Sequence, residues 1–220
     1  MEFSTIWESK LFNSLTQNEK KMFQNQIQNY IKIFKKGSYI YREGDILSAF
    51  GIVISGHVSI LNYDFWGNTN IIGKLSSSQL FAEAFCAANV SFIPLSVMAS
   101  EDSEIALLPF SLLFDEAVFP KELTHKFLKN MMYILATKNV YLQQSVDIIS
   151  KQKTSEKVIR YLSYESKRNH SNRFEIPYNR NELADYLGVD RSALSTCLSK
   201  LKKAGILKYK KSHFTLNDKF

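Results

Sequence analysis

The chain is poor in the residues from which metal and redox sites are built. Its 220 residues include two cysteines and four histidines. Cys86 and Cys197 lie in different regions with no ligand spacing, which excludes an all-cysteine iron–sulfur cluster within one chain. His57, His125, His170 and His213 are scattered, and no H-x-H pair occurs. A cupin-like metalloenzyme, the main enzymatic alternative, needs several histidines and a carboxylate converging from neighbouring strands. Only His57 lies in the strand-like region. P-loop, nucleophile-elbow and Rossmann glycine patterns are absent, as are the aromatic signatures of the common RNA-binding modules. No apolar run reaches the roughly eighteen residues that would span a bilayer. The first ten residues, MEFSTIWESK, lack the basic start and apolar run of a signal peptide. These absences predict a cytoplasmic protein that is not an enzyme, holds no cofactor or metal, and does not engage a membrane.

Acidic residues are missing from one stretch in particular. Between Arg191 and Lys211 stand seven Lys/Arg and no Asp or Glu. The net charge of +7 is correspondingly uneven. Residues 1–149 carry 12 Lys/Arg against 14 Asp/Glu, net −2, while residues 150–220 carry 16 against 7, net +9. A basic final third on a near-neutral body points to a polyanion-binding module.

The basic stretch falls in NRNELADYLGVDRSALSTCLSKLKKA, Asn179 to Ala204. Asn179 with Glu182 three residues on is a capping box, and Leu183, Ala184 and Leu187 share one helical face. Gly188 supplies a residue that turns the chain with positive φ. Asp190 caps a second helix, whose inward stripe is Leu194, Cys197, Leu198 and Leu201; Cys197 is read as a small buried hydrophobe. Two short helices in this spacing form a helix-turn-helix able to place the second helix in a DNA major groove. An ordinary helical hairpin with a solvated lysine face is the local alternative. After Gly205, Ile206–Tyr209 and His213–Leu216 can pair across Lys210-Lys211-Ser212, a wing with lysines at its tip.

The rest of the chain divides by period. Residues 1–36 read as helical, with a Thr16/Glu19 capping box, Met22, Phe23, Ile27 and Ile31 at helical spacing, and Trp7, Leu11, Phe12 and Leu15 as packing residues. From Gly37 to about Leu108 the period is two, in short runs separated by turn residues: Tyr39–Tyr41, Gly51–Ile54, His57–Leu61, Asn70–Ile72, Leu95–Ala99 and Glu104–Leu108. Asp64–Asn68 is a hairpin connection, and Gln79–Asn89 breaks the pattern, its AEAFCAA reading as an inserted short helix. Many short strands with regular turns argue for a sandwich, roll or small barrel. Pro120 opens a long helix in which Leu128, Leu135, Leu142 and Ile149 recur every seven residues, with Met131, Met132 and Val146 beside them. That seam predicts a paired helix through Leu128, Met131, Leu135 and Leu142; packing on its own β domain is the other reading. Ser150–Thr154 is a polar hinge, Thr154 or Ser155 caps the next helix, and Arg173–Ile176 is a short strand.

The order of β-roll, long helix and winged helix-turn-helix is distinctive. So are FKKGSYIYREGD (Phe34–Asp45), FGIVISGHVSI (Phe50–Ile60), AEAF (Ala82–Phe85) and LADYLGVDRSALSTCLSKLKKAGIL (Leu183–Leu207). With these segments the chain resembles the Crp/Fnr family of bacterial transcription regulators over nearly its whole length. The resemblance implies an α+β fold with a β-roll sensor domain of jelly-roll or double-stranded β-helix type at 1–115. A dimerisation helix and hinge would follow at 116–150, and a winged helix-turn-helix at 151–220. It implies a homodimer on duplex DNA with inverted half-sites, switched by a small-molecule effector in the β-roll; RNA polymerase is a candidate partner. Candidate DNA-binding residues are Arg180, Arg191, Ser192, Ser195, Thr196, Lys200, Lys210 and Lys211.

Departures from the family pattern qualify the effector. Cyclic-nucleotide-binding members carry a Gly-Glu pair, then Arg-Ser or Arg-Thr about ten residues later to hold the cyclic phosphate. The matching positions here are Ala82-Glu83 and Ile93-Pro94, with Phe81 and Leu95 completing the candidate pocket. Glu83 remains to accept a ribose hydroxyl, but the cation and hydroxyl for the phosphate are gone. The expected effector is therefore not cyclic AMP; a cyclic-nucleotide-responsive regulator with an atypical pocket is the alternative. Redox-sensing members use clustered N-terminal cysteines, which this chain lacks. Where many relatives read bases with Glu and Arg, this chain has Ser192 and Thr196, so their target sequence is not carried over.

Overall fold

The computed structural model describes residues 5–63, 66 and 69–217. Two compact units divide the chain, residues 1–136 and 137–220, with the boundary falling inside one long helix.

The first unit opens with two short 3₁₀ turns, Ile6–Glu8 and Lys10–Phe12, and helix α1 (Gln17–Ile27). α1 starts where the Thr16 hydroxyl accepts from the Glu19 amide and the Glu19 carboxylate accepts from the Thr16 amide, the expected capping box. The helical reading of residues 1–36 fails after residue 30. Ile31–Phe34 is strand β1, paired antiparallel with Ser103–Ala106 some seventy residues on. Ile31 fits a helical spacing, but cross-strand hydrogen bonding at long range overrides that local pattern.

Seven further strands follow: β2 (Tyr39–Tyr41), β3 (Phe50–Ser55), β4 (Val58–Tyr63), β5 (Thr69–Leu75), β6 (Leu80–Phe81), β7 (Ser96–Ala99) and β8 (Ser103–Leu108). Together with β1 they build two four-stranded antiparallel sheets in the orders β1-β8-β3-β6 and β2-β7-β4-β5, the expected roll. Helix α2 (Glu83–Ala87) interrupts them where the period-two pattern lapses. Of the anticipated hairpin connection Asp64–Asn68, all but the exposed Trp66 lies outside the described residues.

Two apolar clusters hold this unit. Phe12, Phe23, Phe50, Phe119 and Phe127 centre one, where α1 and the start of helix α3 (Lys121–Ile149) cover the sheet. Lys126 ties α3 to Glu19 at 2.8 Å. The second lies inside the roll: Tyr41, Val53, Val58, Phe81, Ile93, Val97 and Ile105 are all buried.

The second unit comprises the last part of α3, then α4 (Thr154–Arg168), β9 (Arg173–Glu175), α5 (Arg180–Leu187), α6 (Arg191–Lys203), β10 (Leu207–Lys210) and β11 (His213–Leu216). Residues 150–153 are non-helical. α4 is capped by neither Thr154 nor Ser155: Lys153 stands at the N-cap and gives no side-chain bond, because Thr154 already has helical geometry. β11 pairs with both β10 and β9, so the wing is the edge of a three-stranded sheet. Val158, Leu162, Leu183, Leu187, Leu194, Leu198, Leu201 and Phe214 form its core. Among the described residues no helix is long and apolar enough to cross a membrane.

Candidate DNA-binding face and effector site

The turn between α5 and α6 is built by local chemistry. The Asn179 side chain accepts from the amides of Asn181 and Glu182, and the Glu182 carboxylate accepts from the Asn179 amide, completing the second capping box. Gly188 ends α5 at φ 59°, its amide donating to Asp185. Asp190 then accepts from the Ser192 hydroxyl and from the amides of Ala193 and Ser192, and these donors, the hydroxyl foremost, hold its carboxyl below the usual carboxylate range.

Burying Leu194, Leu198 and Leu201 turns the opposite face of α6 outward. Arg191, Ser192, Ser195, Thr196 and Lys200 are all exposed on it. Cys197, expected with the buried stripe, is only half-buried, because it flanks that stripe. The Ser192 hydroxyl hydrogen is committed to Asp190, so toward a ligand Ser192 can only accept a hydrogen bond. Ser199, not anticipated from sequence, is also exposed and donates to the Ser195 carbonyl.

The wing supplies the second cationic group. Lys210 and Lys211 are exposed at the β10–β11 turn, where Lys211 takes φ 54°. Arg180 sits differently from the rest of its predicted set. Its guanidinium lies 5.2 Å from the Tyr209 ring centroid and donates to the Lys211 carbonyl at 3.5 Å, and partial burial lowers its pKa. Lys202 lies over the same ring at 5.4 Å. Tyr209 thus acts as a platform linking wing and helices, a role visible in sequence only as one aromatic in a lysine-rich strand. Beside it, Arg168, Tyr178, Asn179, Arg180 and Lys211 line an open groove of about 860 Å³.

The candidate effector residues lie at the heart of the roll. Phe81 and Ile93 are fully enclosed, with Ala82 and Leu95 partly buried around them. Ile93 is fixed through its backbone: its amide donates to the Asp45 carbonyl at 3.0 Å and its carbonyl accepts from the Gly44 amide at 2.8 Å. Pro94 is exposed. Glu83 is buried in the first turn of α2, and Ala82 before it has φ 62° and ψ 0°, a left-handed conformation that glycine adopts more readily.

The predicted seam residues do not all share one surface. Leu128 and Leu142 are exposed, Leu135 is half-covered by its own unit, and Met131 is only 2% exposed. Met131 follows Phe127 by four residues on the inward face of α3, so it belongs to the domain core and not to an open seam.

Two family profiles match: the cyclic nucleotide-binding domain over residues 31–115 and the Crp-like helix-turn-helix domain over residues 156–219. The chain belongs to the Crp/Fnr family of bacterial transcription regulators. Crp/Fnr proteins are DNA-binding regulators and not enzymes. The chain is 24% identical to the transcriptional activator protein FnrA of Stutzerimonas stutzeri over 178 residues, covering 79% of this chain and 70% of that protein. It is 24% identical to the fumarate nitrate reduction regulatory protein of Klebsiella oxytoca over 219 residues, 96% of this chain and 84% of that one. Its fold is that of the Thermus thermophilus catabolite activator protein, with a TM-score of 0.56, 22% identity, and coverage of 96% of this chain and 94% of the other.

Proposed function

We propose that this Crp/Fnr protein is a homodimeric regulator reading two inverted DNA half-sites, and that its β-roll answers to a neutral or weakly polar ligand, or to none, in place of cyclic AMP. The observation that carries the DNA reading is the outward face of α6. Arg191, Ser192, Ser195 and Thr196 stand where a recognition helix meets base edges. Arg191 can pair bidentately with guanine O6 and N7. Lys200, Lys210 and Lys211 suit phosphates, which position the protein without reading sequence. Arg180, anchored on Tyr209, stiffens the wing against α5 and offers its remaining N–H groups to the backbone.

The homodimer reading draws on the exposed apolar residues along α3, Leu128 and Leu142 among them. The effector reading draws on the roll interior. A cyclic phosphate brings a full negative charge whose desolvation without a paired cation costs several kcal/mol. Ile93 puts a buried apolar side chain where the family places arginine, and Pro94 has neither hydroxyl nor N–H. Lys74, the single cation between Arg42 and Lys121, is exposed on β5.

Gel-shift titration with duplex and single-stranded DNA tests the first part: duplex is preferred, and equal affinity for single strands contradicts it. Calorimetry with cyclic AMP and cyclic GMP tests the second: no heat at tens of micromolar is expected. Micromolar binding lost in Glu83→Ala would restore the cyclic-nucleotide reading.

A further inference from the structure

α3 carries two apolar faces. Leu123, Phe127, Met131 and Ile134 are buried in the first unit. The other face runs Leu128, Met132, Leu135, Leu142, Val146, Ile149. Met132 is 63%, Leu142 62% and Val146 67% exposed, and only Leu135 is half-covered. With position 139 included, the intervals alternate four and three throughout, the spacing of a two-stranded left-handed coiled coil. Leu128, Leu135, Leu142 and Ile149 then take the d positions, and Met132, Asn139 and Val146 the a positions. Asn139 is the one polar residue in this row, and it is exposed.

An apolar row of three heptads on one helix calls for a partner with the same repeat, and a second copy of α3 has it. In a parallel, in-register pair every layer meets its own kind. Asn139 then faces the partner's Asn139, and the two amides, each both donor and acceptor, satisfy one another. Slipping by one heptad sets Asn139 against Met132 or Val146, and antiparallel pairing sets it against a d-position residue. Each of these buries an amide without a partner. We infer that Asn139 is the register determinant of this dimer: it selects the parallel in-register pairing and holds the dimer weaker than a wholly apolar seam. This rests on the homodimer proposed above.

The test uses the full chain with Cys86→Ala and Cys197→Ala as background. Sedimentation equilibrium compares it with Asn139→Val, an exposed, β-branched replacement that leaves the folded units intact. Mixtures of Leu142→Cys and Ile149→Cys chains, oxidised, report register: in-register dimers cross-link like position to like, and slipped dimers join 142 to 149. With Asn139 present only like-to-like cross-links are expected. With Asn139→Val the dimer tightens about ten-fold or more, the cost of burying the amides being lifted, and 142-to-149 cross-links appear. Absence of either change overturns the inference while leaving the dimer standing. A monomeric parent chain at tens of micromolar overturns the homodimer itself, and this inference with it.

Discussion

The ring of Phe81 lies across the backbone of Gly51, so closely that a Cβ at position 51 would come within 1.9 Å of the ring's Cζ. The two residues are register partners on β6 and β3, and no side chain other than hydrogen fits between them. Gly51→Ala should therefore destabilise the protein by about 1–3 kcal/mol through overpacking. Phe81→Ala should cost about 3–5 kcal/mol through the cavity it leaves. Urea unfolding measures both; a neutral Gly51→Ala would mean that Phe81 does not fill the roll as described.

Ala82 occupies a left-handed conformation, with φ 62° and ψ 0°. That conformation costs an L-residue about 1–2 kcal/mol, partly offset by the greater freedom glycine has in the unfolded chain. Ala82→Gly should raise stability by up to about 1 kcal/mol. A fall in the unfolding midpoint would contradict this.

Asp147 is the polar hub of the second unit. It accepts from the Arg160 guanidinium, from Lys151 Nζ at 2.9 Å and from the Tyr164 hydroxyl at 2.8 Å, and these donors, Arg160 foremost, hold its carboxyl well below the usual carboxylate range. A depressed native pKa contributes stability that is present above the unfolded value of about 4 and lost as pH falls below it. Thermal unfolding between about pH 4 and pH 2 should thus decline more steeply in the parent chain than in Asp147→Asn. Parallel acid limbs would remove Asp147 from this role.

The two faces of α3 predict opposite outcomes for the same change of chemistry. Leu142→Glu places a charge in the proposed seam and should give folded monomers. Met131→Glu places it in the domain core and should unfold the first unit. Sedimentation with circular dichroism separates the two; a dimeric Leu142→Glu protein would exclude this seam.

Local chemistry was legible in the sequence. The capping boxes at Thr16/Glu19 and Asn179/Glu182, the Gly188 turn and the Asp190 cap each involve residues within four positions of one another, and the sequence carries that information directly. Strand β1 was not legible, because Ile31–Phe34 is made a strand by Ser103–Ala106, which no local period reveals. Met131 and Met132 are indistinguishable in a helix apolar on two sides until the packing of Phe127 and Ile134 orients it. The same holds for the tyrosines of the second unit. Tyr161, Tyr178 and Tyr186 converge with centroids 5.1–6.2 Å apart from three separate segments. Their sequence positions give no hint of it. The Arg180–Tyr209 contact also joins distant segments, so the sequence placed Arg180 among the candidate DNA-binding residues with no sign of its aromatic partner.

The most direct test of a dimer reading DNA through α6 is selection from a random duplex library with the full chain. Enrichment of two inverted half-sites with centres about one helical turn apart is the expected result. Arg191→Ala should relax preference at one position in each half-site and weaken binding to the selected duplex by about 1–3 kcal/mol. A selected sequence without two-fold symmetry, or one that Arg191→Ala leaves unchanged, would contradict it.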